Sequence, residues 1–125
     1  MTRILVVDDD DAVRAVLKLT LRREGYEVLE ASSGFMAVDV VGKSVVDLVL
    51  LDVEMPGMNG LAFCAELRAN PAFASLPVIM MTGRPVDGVQ ERAHQVGAVE
   101  FVHKPFERAT LLALIKTLLA NDKSC

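Results

Sequence analysis

Five short apolar segments recur along the chain and predict the strands of a β-sheet. They occupy residues 4–7, 27–30, 48–51, 78–81 and 101–102, and they are rich in aliphatic and β-branched side chains. The first, third and fourth are apolar throughout, which is typical of strands covered on both faces. The second carries Glu27 and Glu30, which indicates an edge strand.

A segment with helical character follows each predicted strand. The first helix is predicted over residues 12–24, and Gly25 occupies the usual position of a left-handed C-cap. Its apolar face is predicted to comprise Val13, Val16, Leu17, Thr20 and Leu21. Further helices are predicted over 34–43, 60–69, 87–96 and 107–120. The repeated alternation of strand and helix predicts an α/β fold, with a parallel sheet and helices on both faces.

The composition is that of one globular domain. Of 125 residues, 52% are hydrophobic and 24% charged, so the chain can bury a core and intrinsic disorder is excluded. We expect a single domain over residues 1–125, with its core at about 3–120 and a short tail or truncated linker at 121–125. No apolar run approaches the roughly 18 residues of a membrane span. The net charge of −4 argues against nucleic-acid binding, and two cysteines without a disulfide framework favour a cytoplasmic setting.

Polar side chains follow four of the predicted strands at the point where each strand ends. Asp8 and Asp9 follow the first, Asp52 the third, Thr82 the fourth and Lys104 the fifth. Ligands of open α/β sheets bind outside the carboxyl ends of the strands. We therefore expect three carboxylates, a hydroxyl and an ammonium group at one edge of the sheet.

This set of groups has a chemical logic. Crowded carboxylates repel one another unless cations are supplied, and Lys104 supplies only one positive charge. Mg²⁺ suits a site with few carboxylates, waters and a phosphate oxygen. A carboxylate beside Mg²⁺ and a lysine can attack a phosphoryl group, while the cations and Thr82 stabilise its equatorial oxygens. Taken singly, however, Asp10 and Asp11 are better explained as helix-capping residues, and Asp52, Thr82 or Lys104 could be ordinary turn or surface residues.

Four segments resemble the receiver domains of bacterial two-component response regulators. They are ILVVDD at 4–9, DLVLLDVEMPGMNG at 47–60, PVIMMTG at 77–83 and GAVEFVHKPF at 97–106. The resemblance covers about residues 3–120. It implies a flavodoxin-like, doubly wound, five-stranded parallel sheet in the order 2-1-3-4-5. It also implies a phosphorylation-controlled signalling switch. Such a phosphoacceptor domain is regulatory and not an enzyme, although it assists its own phosphorylation and dephosphorylation.

The resemblance carries the family's roles onto individual positions. Asp52 is similar to the phosphoacceptor, which takes its phosphoryl group from a phosphohistidine. Asp9 resembles the direct Mg²⁺ ligand, Asp8 acts nearby, often through water, and Glu54 supplies a backbone carbonyl to the metal. Lys104 resembles the lysine that pairs with the phosphoryl group, and the peptide bond to Pro105 is expected to be cis.

Two further residues resemble a conformational switch. Thr82 matches the switch hydroxyl, and Phe101 matches the aromatic residue that turns inward when the hydroxyl moves toward the phosphoryl group. The surface formed by the helix predicted over 87–96, the last strand and the last helix is then expected to change. That surface would control an unknown downstream protein or an output domain absent from this chain.

Two helix faces are candidate partner surfaces, and each of them allows two interpretations. The first helix carries Arg14, Lys18, Arg22 and Arg23, which form either a solvated basic face or a docking face for a sensor histidine kinase or a histidine phosphotransfer protein. The leucines and isoleucine of the last helix span about 160°, against the roughly 100° that a core face needs. Leu112 and Leu114 either pack under neighbouring elements or contribute to a phosphorylation-dependent homodimer or other partner surface.

Two other functions stay open from the residues alone. A haloacid-dehalogenase-type phosphatase also combines Asp, Thr or Ser, Lys and Mg²⁺, although its nucleophile follows the first strand. A scaffold that retains an unused site is the third reading. The chain is expected to be either a stand-alone regulator or the first domain of a longer one.

Overall fold

The computed structural model describes residues 2–52, 60–82, 100–103 and 107–123. Its strands are β1 (Arg3–Val7), β2 (Glu27–Ala31), β3 (Leu48–Asp52), β4 (Val78–Thr82) and β5 (Glu100–His103). Its helices are α1 (Asp11–Arg23), α2 (Gly34–Lys43), α3 (Gly60–Ala69), a short 3-10 helix (Pro71–Phe73) and the C-terminal helix (Arg108–Lys123). The helix predicted over 87–96 lies outside the described residues. Among the described helices, none has the length and apolarity needed to cross a bilayer.

The five strands form one parallel sheet in the order β2-β1-β3-β4-β5. All five residues of β3 and of β4 are buried, as their unbroken apolar sequences predict. β2 lies at the edge of the sheet and is only partly buried, which confirms the interpretation of Glu27 and Glu30. The prediction of an α/β fold with a parallel sheet is confirmed.

The sheet separates two hydrophobic clusters, because successive side chains of a strand point to opposite faces. On one face, Leu5, Val49 and Met80 pack with residues of α2 and α3. On the other face, Ile4, Leu50 and Met81 pack with residues of α1 and the C-terminal helix. The described helices therefore cover both faces of the sheet, and the carboxyl ends of its strands lie between these two layers.

Helix α1 begins and ends as its sequence predicts. The Asp10 carboxylate accepts hydrogen bonds from the amides of Ala12 and Val13, at 2.9 and 3.2 Å, and so caps the helix. Gly25 follows with φ of 90°, a backbone conformation that favours glycine.

The predicted apolar face of α1 is wrong at one position. Leu17 and Leu21 are buried, whereas the side chain of Val16 is 64% exposed. At about 100° per residue, Val16 lies about 120° from the midpoint between Leu17 and Leu21, outside the stripe of roughly 100° that a surface helix buries. Its apolar character alone therefore does not bring it into the core.

Neighbouring residues of α1 provide a matched test of this assignment. Leu17→Ala is expected to lower the free energy of unfolding by about 2–4 kcal/mol, because Leu17 is only 3% exposed and its truncation leaves a cavity. Val16→Ala is expected to change it by less than about 0.5 kcal/mol. Urea unfolding followed by circular dichroism measures both values, and equal losses for the two variants would contradict this orientation of the helix.

The C-terminal helix packs through a broad apolar face. Leu111, Ile115 and Leu119 are buried, and Leu112 and Leu114 are partly buried against the same cluster. This supports the interpretation that the excess leucines pack under neighbouring elements. The helix continues through Lys123, three residues beyond its predicted end at residue 120. No proline or glycine stands in residues 121–123 to stop it.

Ion pairs connect the edge strand to its neighbours. The Arg3 guanidinium contacts the Glu27 carboxylate at 2.8 Å, and the Lys18 ammonium contacts Glu30 at 3.0 Å. Arg14 also faces Glu30, at 3.6 Å. The predicted basic face of α1 is therefore divided, because Arg14 and Lys18 point toward β2 while only Arg22 and Arg23 are exposed.

Candidate functional site

An acidic cluster lies at the carboxyl ends of the adjacent strands β1 and β3. Asp8 follows β1 directly and is fully buried, and Asp52 is the last residue of β3, with 5% of its surface exposed. Asp9 is exposed beside them. One carboxylate oxygen from each of the three residues lies within 4.8 Å of the others. The structure thus brings together the three carboxylates that the sequence placed at this edge.

The spacing of these oxygens fits a single hard cation. Magnesium–oxygen distances are about 2.0–2.1 Å, so ligands on opposite sides of one ion are about 4 Å apart. Three oxygen donors within 4.8 Å of one another therefore need only small adjustments to share an ion. A cation bound among these carboxylates would also offset the repulsion between their like charges at this distance.

The backbone around Asp8 is held by hydrogen bonds. The Asp8 amide donates to the Ala31 carbonyl of β2 at 3.1 Å, and the Asp8 carboxylate accepts from the Asp10 amide at 2.9 Å. The Asp10 carboxylate accepts hydrogen bonds from amides of the first turn of α1, which confirms the prediction that it caps this helix. The run therefore divides into Asp8 and Asp9 at the cluster and Asp10 and Asp11 at the helix start.

A hydroxyl ends the neighbouring strand. Thr82 is the last residue of β4 and is 1% exposed. In the register of the sheet, Asp52 lies opposite Met81, so Thr82 comes one residue after the position that pairs with Asp52. Thr82 itself lies opposite His103, the last residue of β5. The carboxylates and the threonine are thus delivered by strands that are adjacent in the sheet.

Three of the predicted site residues can be placed only in part or not at all. Glu54 and Lys104 lie outside the described residues, and so does the Lys104–Pro105 peptide bond. Phe101 is described in its backbone alone, within β5 and opposite Met80. Their roles remain predictions from the resemblance.

One residue beside the cluster was not predicted to act there. The Arg14 guanidinium donates a hydrogen bond of 2.6 Å to the backbone carbonyl of Asp8. Arg14 is six residues further along the chain, at the end of the first turn of α1. Its side chain is only 14% exposed, so it is no part of a solvated face. Sequence periodicity gives no signal for this contact, because it depends on how α1 lies against the sheet.

The buried cysteine belongs to the core. Cys64 of α3 packs in the cluster that includes Leu51 and Met80. Burial raises the pKa of its thiol above the ordinary value of 9.0, and the nearby Arg68 lowers it by a smaller amount. The thiol therefore stays protonated at neutral pH, which is unfavourable for metal binding or nucleophilic attack.

The fold and the acidic cluster together define a class of protein, the doubly wound α/β domains with an acidic site at the carboxyl ends of the parallel strands. Residues 4–116 match the family model of the response regulator receiver domain, and the chain belongs to this family. Receiver domains are regulatory domains of two-component signalling, and they interact with histidine kinases or phosphotransfer proteins. The acidic cluster is compatible with Mg²⁺ and phosphoaspartate in such a domain. The match therefore favours a regulatory domain over a haloacid-dehalogenase-type phosphatase.

Individual relatives agree with the family match. The response regulator MprA of Mycobacterium avium is 41% identical over 123 residues, which are 97% of this chain and 52% of MprA. The chain thus spans about half the length of the curated relatives it matches. A CheY-like receiver domain protein from Methanospirillum hungatei has a TM-score of 0.94 at 28% identity, covering 99% of this chain and 98% of its own.

A third relative carries a metal. The receiver domain of sensor histidine kinase PA1611 from Pseudomonas aeruginosa was solved with a magnesium ion coordinated in its active site cleft. Its TM-score is 0.88 at 28% identity, and the match covers 95% of this chain and 98% of that one.

Proposed function

We propose that the chain is a phosphorylation-controlled switch that accepts a phosphoryl group on Asp52 with the help of Mg²⁺. The observation that carries this proposal is the cluster of Asp8, Asp9 and Asp52 at the carboxyl ends of adjacent strands. The phosphoryl donor would be a sensor histidine kinase or a histidine phosphotransfer protein. We propose a single receiver unit over about residues 3–120 that works in the cytoplasm.

The chemical step is a phosphoryl transfer between side chains. A carboxylate oxygen of Asp52 attacks phosphorus, the bond from phosphorus to the donor's imidazole nitrogen breaks, and the imidazole leaves with the electron pair. Asp52 is nearly buried at the end of β3, which limits competition from water. When bound, Mg²⁺ supplies positive charge to the oxygens of the transferring group. Asp9 would hold the ion directly, Asp8 through water and Glu54 through its backbone carbonyl.

Two further side chains would bind the transferred group. Lys104 is proposed to pair with a phosphoryl oxygen, and the hydroxyl of Thr82 to donate a hydrogen bond to another. The position of Thr82, on the strand beside Asp52, supports this role. The step leaves a larger and more negative side chain at Asp52, with new acceptor oxygens.

The response is proposed to be a shift between two conformations. Movement of Thr82 toward the phosphoryl group would leave space for Phe101, the switch aromatic. The surface formed by residues 87–96, β5 and the C-terminal helix would then change. A downstream protein, an output domain or a second copy of the chain would read that surface, while DNA and membranes are not proposed as ligands of this domain.

The proposal is tested by incubating the purified chain with acetyl phosphate, in which a phosphorus–oxygen bond breaks and acetate leaves. We expect the chain to gain the mass of one phosphoryl group in Mg²⁺ and to gain none after the metal is chelated by EDTA. Intact-mass spectrometry in acidic solution, where acyl phosphates last longest, measures the product. Equal labelling with and without Mg²⁺ would exclude the metal from the reaction, and no labelling at all would overturn the proposed function.

A further inference from the structure

We infer that Arg14 is a positioning residue that holds the peptide unit between Asp8 and Asp9 and thereby sets the Mg²⁺ affinity of the acidic cluster. The inference rests on the proposed function and names a residue that the family's motif roles do not include. Arg14 lies on α1, and its guanidinium group contacts the backbone of a proposed metal ligand without being a ligand itself. The basis of the inference is a set of contacts that join α1, the end of β1 and the edge strand β2.

The guanidinium of Arg14 contacts three elements of the fold. One terminal nitrogen donates to the Asp8 carbonyl at 2.6 Å, and the other contacts the carboxylate of Asp11 at the start of α1. Its Nε lies 3.6 Å from the Glu30 carboxylate on β2. A planar group with donors along several edges is suited to such a junction, whereas a lysine ammonium acts as a single point charge.

The position of the accepting carbonyl explains why this contact matters for the site. The Asp8 carbonyl belongs to the planar peptide unit that links Asp8 to Asp9. On its other side, Asp8 is fixed by its amide, which donates to the Ala31 carbonyl. A hydrogen bond to the carbonyl therefore limits rotation of the peptide unit between the two carboxylates, and hence the distance between their oxygens.

Two physical effects of Arg14 on a bound cation have opposite signs. As a nearby positive charge, Arg14 repels Mg²⁺ and its removal would strengthen binding. As a positioning residue, it fixes the ligands in place and its removal weakens binding. We expect positioning to prevail, because the hydrogen bond acts directly on the ligand backbone and partners of metal ligands typically contribute about 10–100-fold to affinity.

The chain contains a control for the effect of charge. Lys18 lies one helical turn after Arg14 and its ammonium contacts the same Glu30 carboxylate at 3.0 Å. Lys18→Met removes a positive charge near β2 and leaves the bond between Arg14 and Asp8 in place. The variant Arg14→Met removes both the charge and the hydrogen bond. Methionine is unbranched and shorter than arginine, so it fits at this position, which borders a small surface cavity with Ser32 and Met36.

The experiment compares Mg²⁺ binding by the whole chain and its variants, using isothermal titration calorimetry. Arg14→Met is expected to bind Mg²⁺ about 10-fold more weakly than the wild type. Arg14→Lys, which can still donate to the Asp8 carbonyl, should recover part of the loss. Lys18→Met should bind as tightly as the wild type or more tightly. Unchanged or stronger binding by Arg14→Met, or an equal loss in Lys18→Met, would overturn the inference.

A second measurement separates this inference from the proposed function. Hydrogen exchange by NMR in metal-free buffer follows the Asp10 amide, which is bonded to the Asp8 carboxylate at 2.9 Å. Arg14→Met should accelerate its exchange several-fold, while amides in the centre of β3 should keep their wild-type rates. A wild type that binds no Mg²⁺ would overturn the proposed function. If the Asp10 amide exchanged at the wild-type rate in Arg14→Met, the positioning role of Arg14 would be overturned, whatever Mg²⁺ affinity is measured for this variant.

Discussion

Asp52→Asn is expected to abolish covalent phosphorylation of the chain while leaving its fold intact. The amide has nearly the shape of the carboxylate, but it carries no negative charge and its oxygen is a poor nucleophile. Asp8 and Asp9 lie within 4.8 Å of Asp52, but in the proposed site they hold Mg²⁺, so neither is expected to accept the phosphoryl group in its place. Intact-mass spectrometry after incubation with acetyl phosphate and Mg²⁺ should therefore detect no phosphoryl group on this variant.

Asp47→Asn provides the matched control for this experiment. Asp47 immediately precedes β3, and its carboxylate accepts a hydrogen bond from the Arg3 amide at 2.8 Å, at the opposite end of the strand. An asparagine oxygen can still accept that bond, so the control should fold and be labelled to the wild-type extent. Labelling of Asp52→Asn to the same extent would show that the phosphoacceptor is a different residue.

Asp9→Asn is expected to weaken Mg²⁺ binding by at least about 10-fold, because it removes a charged ligand from a site with few carboxylates. In metal-free buffer the same variant should unfold no more easily than the wild type. In the wild type, carboxylate oxygens of Asp8, Asp9 and Asp52 lie within 4.8 Å of one another, so removing the charge of Asp9 relieves their repulsion. Since Asp9 is exposed, the gain in unfolding free energy should stay below about 1 kcal/mol.

The wild type is therefore expected to be no more stable than Asp9→Asn without metal, and more stable than this variant when Mg²⁺ is added. At Mg²⁺ concentrations near 100 times the dissociation constant, the wild type gains about 2.7 kcal/mol of unfolding free energy, and the variant gains little. Urea unfolding in Mg²⁺ and in EDTA measures both effects. Asp10→Asn is the control, because asparagine also caps a helix and Asp10 already uses its carboxylate on the α1 amides. If Mg²⁺ raised the unfolding free energy of Asp9→Asn as much as that of the wild type, Asp9 would not be a ligand of the metal.

The sequence predicted those parts of the fold that follow from local pattern. Strands β3 and β4 were recognisable because a strand buried on both faces has a near-continuous apolar sequence, here interrupted only by the polar residue at its end. The cluster of Asp8, Asp9 and Asp52 was predictable because parallel strands end at the same edge of the sheet. Asp10 as the cap of α1 followed from its place immediately before the helix.

The features that sequence reasoning missed depend on how elements lie against one another. The exposure of Val16 is set by the width of the stripe that α1 buries, which periodicity does not specify. The contact from Arg14 to the Asp8 carbonyl depends on the rotation of α1 about its axis. The 3-10 helix at Pro71–Phe73 did have a local signal, since Asn70 caps it and Pro71 occupies its first turn.

The ion pairs along β2 have a consequence for behaviour at high concentration. An edge strand exposes unpaired backbone amides and carbonyls, which another chain can extend into a continuous sheet. Glu27 and Glu30 place negative charge on this edge strand, and each is paired with a cation, Arg3 and Lys18 respectively. An incoming strand would have to displace these charged groups from water and from one another. The open margin of the sheet is thereby protected against the strand addition that leads to amyloid-like aggregation.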